Sequence, residues 1–309
     1  MINIEMAIRS DRIMKAVTGV SVEEFNQLLV PFTEELEKAK LSSASSAKKR
    51  CRASGAGRKH TLNTASEKLF FILFYLKCYP TYDLAGISFD VDRSQACRWV
   101  EQWLPILTRV LEREAVLPAR EIASGTEFLK LFHEVTEIYI DGTERPVQRP
   151  VDDERQKGCY SGKQKRHTVK NLIVNDEHKK VLILPPTCDG GTHDYTLFKA
   201  TDLGKVLPVQ CLVFVDSGFQ GMQTDYPHLI VMIPFKKPKG GDLSEVEKKF
   251  NKVIAHCRVL SENTLAGIKR LRCVADIFRN QRAAMADTFM ELACGIWNLH
   301  LKMGELSVV

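Results

Sequence analysis

Three acidic residues stand out for the chemistry their type and setting allow. Asp141 closes the run VTEIYID (135–141) and is followed by Gly142; Asp216 closes CLVFVD (211–216) and is followed by Ser217 and Gly218. Both runs read as strands, and in an open sheet functional groups collect at the carboxyl ends of parallel strands, beside a topological switch point. If the two strands are neighbours, their carboxylates converge and repel one another unless a divalent cation lies between them. Hard oxygen ligands are what Mg²⁺ prefers. A two-metal site needs a third carboxylate, and Glu262 in HCRVLSENTLAGIKR fits best. It sits in a predicted helix, near Arg258 and Lys269, on a face expected to continue at Ile268. A Glu on that buried side needs a cation to offset its desolvation.

Each of these residues also has an ordinary reading. A strand-terminal Asp commonly starts a turn, and Glu262 stands four residues from Arg258, a spacing for a helix ion pair worth only about 0.3–0.5 kcal/mol. Asp194, in THDYTLF, is the rival for the second carboxylate; it lies at the start of a predicted helix, where an Asp is more often an N-cap. The strand-end argument favours Asp216. His167 and His193 are candidates for phosphate or water contacts, although lone histidines are more often structural.

The elements that must position these groups follow from periodicity. From about residue 130 the pattern changes from helical spacing to short apolar strands: 135–141, 167–175, 179–186, 211–216 and 229–235, with the turn NDEHKK making a hairpin of the second and third. Helical stretches are predicted near 193–203, over 244–273 and over 281–303, the last with Met285, Phe289, Leu292, Ile296 and Leu299 on one stripe. This order suits an α/β layer with antiparallel strands first and a parallel crossover after. Ahead of it, residues 18–40 read as a helix opened by a Ser21/Glu24 capping box.

Residues 61–115 read as three further helices. Thr64 caps the first, whose LFFILFYL stretch must be buried. YPTYDLAGISFD gives a turn and a short second helix. The third starts near Asp92 or Ser94 and carries Val100, Trp103, Leu104 and Leu107 on one face. Two short helices, a tight connection and a final helix with a polar start match helix-turn-helix patterning, in which Arg93, Ser94, Gln95 and Arg98 would face the major groove. The same pattern suits a plain helical bundle.

Composition bounds the alternatives. The chain has 309 residues, 44% apolar and 27% charged, enough for a buried core and unlike a disordered or fibrous protein. Its net charge of +6 is unevenly spread. Residues 42–60 and 155–170 each hold six Lys or Arg and no acid, and KKPKG (236–240) adds a third cluster. Three such clusters favour a polyanion partner, most commonly nucleic acid. No apolar run is long enough for a membrane span, and the opening MINIEMAIRSDRIMKAV lacks the apolar core of a leader, so a cytoplasmic protein with no membrane partner is expected. The nine cysteines are scattered with no CxxC pair, which favours reduced, packed thiols over a zinc site or a disulfide framework. No GxSxG or HExxH string points to another hydrolase.

The segments YIDGTERPVQRP (139–150), YSGKQKRHTVKNLIV (160–174), GGTHDYTLF (190–198), VDSGFQG (215–221), PFKKPKGGDLS (234–244) and RVLSENTLAGIKRLRCVADIFRN (258–280) resemble bacterial DDE transposases of the insertion-sequence-five type, kin to Harbinger nucleases. LNTASEKLFFILFYLKCYPTYDLAGISFDVDRSQACRWV resembles the helix-turn-helix that precedes the nuclease in that family. Asn263 stands where relatives often carry a His. The resemblance implies an RNase H-like mixed sheet with flanking helices, preceded by a small all-α helix-turn-helix domain, with the first and fourth strands adjacent and parallel. The expected organisation is an N-terminal helical segment (1–41), a basic linker (42–60), the helix-turn-helix (61–115), a connector (116–134) and the nuclease domain (135–305).

The resemblance further implies metal-dependent cleavage of double-stranded DNA at the element's terminal inverted repeats and strand transfer into target DNA. Asp141, Asp216 and Glu262 would hold two Mg²⁺ ions, with Mn²⁺ able to substitute. Lys163, Lys165, Arg166, Lys236, Lys237, Lys269 and Arg270 would contact phosphates. Joining two ends implies a homodimer or higher assembly on DNA, in a bacterial, nucleoid-associated setting. The alternative is a transposon-derived DNA-binding protein that no longer cuts.

Overall fold

The computed structural model describes residues 2–45, 61–280 and 282–306. Two compact units emerge: a helical one formed by the chain up to Leu117, Arg270–Cys273 and the chain from Lys302, and an α/β one formed by Pro118–Lys269 and Val274–Leu301.

The helical unit contains α1 (Ile4–Ile8), α2 (Asp11–Thr18), α3 (Val22–Ser45), α4 (Ala65–Cys78), α5 (Tyr82–Phe89) and α6 (Arg93–Arg113). The predicted capping box is present: the Ser21 N–H donates to Glu24 Oε2 at 2.6 Å and the Glu24 N–H to Ser21 Oγ at 3.1 Å. Helix α3 then runs on to Ser45, into the tract read as a linker, whose remaining residues 46–60 lie outside the described ones. The first two helices fall within the segment 1–41 expected to be helical, ahead of the helix read at 18–40; each is a short element opened by a capping side chain, Asn3 and Ser10. Thr64 and Glu67 form a second capping box at α4, and its apolar stretch is buried from Leu69 to Leu73. At the centre, Phe71 meets Phe89, Trp99 and Trp103 edge-on, with centroids 4.9, 5.2 and 5.5 Å away. Of the two candidate caps for α6, Asp92 is the one used: it accepts the Gln95 N–H at 2.9 Å.

The rest of the chain, mostly in the α/β unit, runs α7 (Gly125–Leu131), β1 (Glu137–Pro146), α8 (Asp153–Cys159), β2 (Tyr160–Ser161), β3 (Arg166–Asn175), β4 (Val181–Ile183), β5 (Cys188–Asp189), α9 (Asp194–Ala200), α10 (Leu203–Val206), β6 (Leu212–Phe214), a 3₁₀ turn at Ser217–Phe219, α11 (Met222–Asp225), β7 (Ile230–Met232), α12 (Glu245–Lys269), α13 (Arg272–Ala275) and α14 (Ala283–Leu306). The strand order is β2-β3-β1-β6-β7, with β4 and β5 also paired to β3. As the sequence order predicts, the early strands are antiparallel and the later ones parallel: β1 runs against β3 from Tyr139↔Asn175 to Pro146↔Thr168, and with β6 from Glu137↔Leu212 to Tyr139↔Phe214. The first and fourth predicted strands are therefore neighbours, as the RNase H-like arrangement requires. Helix α7 falls within the expected connector, and α8 overlaps the start of the basic cluster 155–170.

Alternation along β1 sorts its side chains onto two faces. Ile138 and Ile140 join Leu172, Val174, Val213, Phe198 and Phe219 in the larger core. Tyr139 turns to the other side, stacks on Phe214 at 4.7 Å, and packs against Ile254 of α12. Complete burial of aromatic and aliphatic side chains of this kind contributes about 1.5–3 kcal/mol each, so both faces of the strand are firmly held. No helix among the described residues is long and apolar enough to cross a membrane.

Candidate active site

Strand β1 outlasts its parallel neighbour. Pairing with β6 ends at Tyr139↔Phe214, and the β6 chain leaves the sheet through the turn at Asp216. A cleft of about 520 Å³ opens beside the departing strand, lined by Gly142, Glu144, Asp194, Asp216, Lys163 and Lys269 among others. Asp141 and Asp216 each lie two residues beyond the last β1–β6 pair, which places them side by side; the strand end expected at Asp141 is not one, because β1 continues against β3 to Pro146, with Asp141 opposite Ile173. One oxygen of Asp216 accepts the Gly218 N–H at 2.7 Å, fixing that carboxylate in the turn.

Burial raises the Asp141 carboxyl to about 6; Arg258 on α12 works against the shift, and the neighbouring Asp216 and Asp194 carboxylates add to it. Burial is thus the main cause of the shift, and Arg258 offsets it only in part. Hard oxygen donors in that state suit a divalent cation such as Mg²⁺.

Glu262 was expected on the buried side of its helix, and the structure corrects this. It is exposed, while Ile254, Ser261, Thr264 and Ile268 form the stripe against the sheet. At 100° per residue, Glu262 falls on the adjoining flank with Arg258, Leu265 and Lys269, of which Leu265 and Lys269 line the cleft. Its neighbours fix the rotation of α12. Ser261 Oγ donates to Asn175 Oδ1 at 2.9 Å, and Thr264 Oγ1 donates to the Lys179 carbonyl at 3.2 Å. Trp297 of α14 donates to that same carbonyl at 2.8 Å, and its ring lies where a Cβ on Gly267 would sit, 2.3 Å from it. The structure therefore brings Asp141 and Asp216 together and orients the helix bearing Glu262. Among the described residues, however, no three His, Cys, Asp or Glu side chains form a group able to hold a metal ion.

Asp194 is not an N-cap: His193 takes that position, and Asp194, the first helical residue, ion-pairs with Lys170 at 2.9 Å. Lys163 and Lys236 are exposed on the cleft, Lys165 and Arg166 are exposed nearby in sequence, and Lys237 pairs with Asp242 at 2.6 Å. Lys269 lines the cleft, its burial holding the amine below its ordinary value. Arg270 belongs to the helical unit, half-buried, with its carbonyl accepting from Lys77 Nζ at 2.7 Å. His193 borders the cleft, and His167 packs against the Tyr160 ring.

Sequence reasoning missed the buried group behind the strand end. Lys170, counted in an acid-free basic cluster, does not face solvent: it is buried between Glu144 and Asp194. A signal was available, since Lys170 sits within a strand whose neighbours are all buried, and a cation there requires internal acids.

In the helical unit, Arg93, Ser94 and Arg98 are exposed at the start of α6. The Arg98 guanidinium donates to Gln95 Oε1 at 3.1 Å, and Arg93 lies 3.9 Å from Asp83.

A mixed sheet of this order behind a three-helix module is the arrangement the resemblance implied, and the comparisons give the family. Residues 140–298 match the family model for DDE superfamily endonucleases, and residues 60–113 match that for the helix-turn-helix of the same superfamily. The chain belongs to the DDE superfamily of endonucleases. It is similar to a probable transposase for insertion sequence element IS702 from Microchaete diplosiphon, with 27% identity over 293 residues, covering 94% of this chain and 95% of the relative. No solved structure matches.

Proposed function

We propose that the protein is a transposase that cleaves DNA at terminal inverted repeats and joins the freed ends to target DNA, with Asp141, Asp216 and Glu262 as its metal ligands. The observation that carries this reading is the pairing of β1 with β6, which sets two carboxylates side by side at the edge of a basic cleft. When bound, divalent cations lower the pKa of an attacking water or 3′-hydroxyl and stabilise the leaving oxygen of an in-line displacement. Asp141 and Asp216 hold the cation side of the site, and Glu262 reaches it from the flank of α12. Lys163, Lys236 and Lys269 fix the phosphate backbone in the cleft, with Lys165, Arg166, Lys237 and Arg270 as further backbone contacts. No Ser or Tyr nucleophile is required.

Magnesium is the expected ion, and Mn²⁺ should substitute. Strand joining calls for two copies of the chain, so a dimer or larger assembly forms on DNA, in the bacterial nucleoid. Repeat recognition falls to Arg93, Ser94, Gln95 and Arg98 at the start of α6. Phosphate contacts position and base-edge contacts specify, so Arg98→Ala should lower the ratio of repeat to random-sequence binding by about tenfold. An unchanged ratio in competition gel shifts moves recognition elsewhere.

The competing reading, a DNA-binding protein of transposon origin that no longer cuts, draws support from Glu262 standing outside any three-residue ligand group. One experiment separates them. Nicking of a labelled terminal-repeat duplex should require Mg²⁺ or Mn²⁺ and fall at least about 10³-fold in Asp216→Asn, with gel-shift affinity for the duplex retained. Metal-independent nicking, or full activity in that variant, sinks the assignment; no nicking by the native chain under any metal favours the competing reading.

A further inference from the structure

On the face of β1 opposite Asp141, lining the same cleft as Asp216, lies an ionic arrangement that the catalytic reading does not use. Lys170 of β3 stands directly across from Glu144 of β1 in the antiparallel register. Its ammonium donates to the Thr192 carbonyl at 2.7 Å and lies 2.9 Å from Asp194 Oδ1 and 3.5 Å from Glu144 Oε1. The ammonium thus hydrogen-bonds the Thr192 carbonyl and is flanked by the two carboxylates as ion-pair partners. Glu144 is held from its other oxygen by the Thr168 hydroxyl at 3.1 Å.

The clamp places the Asp194 carboxylate in one particular spot. A Cβ on Gly142 would lie 2.5 Å from Asp194 Oδ1 and 2.6 Å from its Cγ, closer than any real contact. The missing side chain of Gly142 is therefore the seat of Asp194, and Gly142 is bonded directly to Asp141. On the β6 side the strand has lost its parallel partner by this point. Asp194 supplies support from beneath where pairing has stopped.

We infer that Asp194, clamped by Lys170 and seated in the notch at Gly142, is a positioning residue that sets the height of Asp141 relative to Asp216. The inference rests on the proposed reading of Asp141 as a metal ligand. It makes Lys170 an internal brace, in place of the DNA-facing cation its sequence neighbourhood suggested.

The test is Mn²⁺ binding to the full chain, read by titration calorimetry, with thermal melting measured in parallel. Asp194→Ala and Gly142→Ala should each weaken Mn²⁺ binding by about tenfold, the lower end of what loss of an outer support costs a metal site. The double variant should bind no more weakly than either single one, because the added methyl then enters space that Asp194 has vacated. Asp141→Asn should lose binding altogether. Native-like affinity in Asp194→Ala, while Asp141→Asn has lost it, overturns the brace and leaves the metal site standing. Native-like affinity in Asp141→Asn overturns the site reading and the brace with it. Additive losses in the double variant, or a lowered melting temperature with unchanged affinity, make the contact structural only and also overturn the inference. Should Asp194→Ala fail to fold, Asp194→Asn, which keeps the volume but removes the charge that holds Lys170, must show weakened Mn²⁺ binding for the inference to stand.

Discussion

Asp141 and Arg145 lie on the same face of the same strand, about 13 Å apart along it, yet their surroundings differ in kind. Arg145 is 1% exposed and sits within a connected set of partners: it donates to the Ala286 carbonyl at 3.0 Å and to Asn171 Oδ1 at 2.7 Å. Asn171 donates to Thr187 Oγ1 at 2.9 Å, Thr187 donates to Asp287 Oδ1 at 2.8 Å, and Asp287 pairs with Arg120. At the other end, Asp141 has carboxylates for neighbours and Arg258 as the opposing charge. One region is a polar network of successive hydrogen bonds that stabilises; the other holds a carboxyl raised by burial and only partly offset by Arg258, a condition that costs stability and marks functional sites. Exposure does not separate them, since both ends are largely shielded. Partner chemistry does.

The most damaging way to break this contrast is Arg145→Met. It removes the cation that joins β1 to α14 and leaves Asn171 and the Ala286 carbonyl short of a donor. The expected loss is about 3–5 kcal/mol in urea unfolding; a loss under about 1 kcal/mol would mean that the network relaxes without it. Asp141→Asn should act in the opposite direction. The Asp141 carboxyl is raised from 3.8 to about 6, so the folded state holds its proton more tightly than the unfolded chain does. Above pH 6 both states are ionised and the folded one carries the penalty; the penalty fades as the pH falls from about 6 towards 4. In chelator at pH 8 the substitution should therefore stabilise by about 1–3 kcal/mol, and the gain should shrink by pH 5. Calorimetric melting at the two pH values checks both sign and window.

Asp287→Asn sharpens the comparison at smaller scale. Burial pushes this carboxyl up, but bonds from Arg120 and Thr187 outweigh it and hold it below its ordinary value. Its contribution is present at neutral pH and is lost as the pH falls through that depressed value. The substitution should cost about 1–2 kcal/mol at pH 7, with the difference from the native chain closing in acid. A larger cost at low pH than at neutral would contradict the sign.

The element order, the cap at Thr64, the capping box at Ser21 and the neighbouring strands bearing Asp141 and Asp216 were all legible in the sequence. The caps and the element order rest on local spacing or a short-range pattern; that the two strands are neighbours came from the family resemblance. The rotation of α12 was not legible. SENTLAG marks a helix, but which side faces the sheet depends on Asn175 and Lys179, over eighty residues away, bonding Ser261 and Thr264. Lys170 misled for a related reason: composition counts a charge, and the acids that answer it come from Glu144 and Asp194 on other elements. The six cations of residues 155–170 were read as one surface, although Lys157 pairs with Glu154 at 2.8 Å on its own helix and only Lys163, Lys165 and Arg166 share the exposed turn.

The close approach of Gly267 to the Trp297 ring bears on how variants of this protein should be interpreted. Position 267 carries no reactive group, so a screen scored by chemistry would pass over it. Yet even an alanine there would have to roll or lift a whole helix, and a glutamate one and a half turns upstream would move with it. Loss-of-function alleles at such a site would be mistaken for general instability unless turnover and melting were measured on the same preparation.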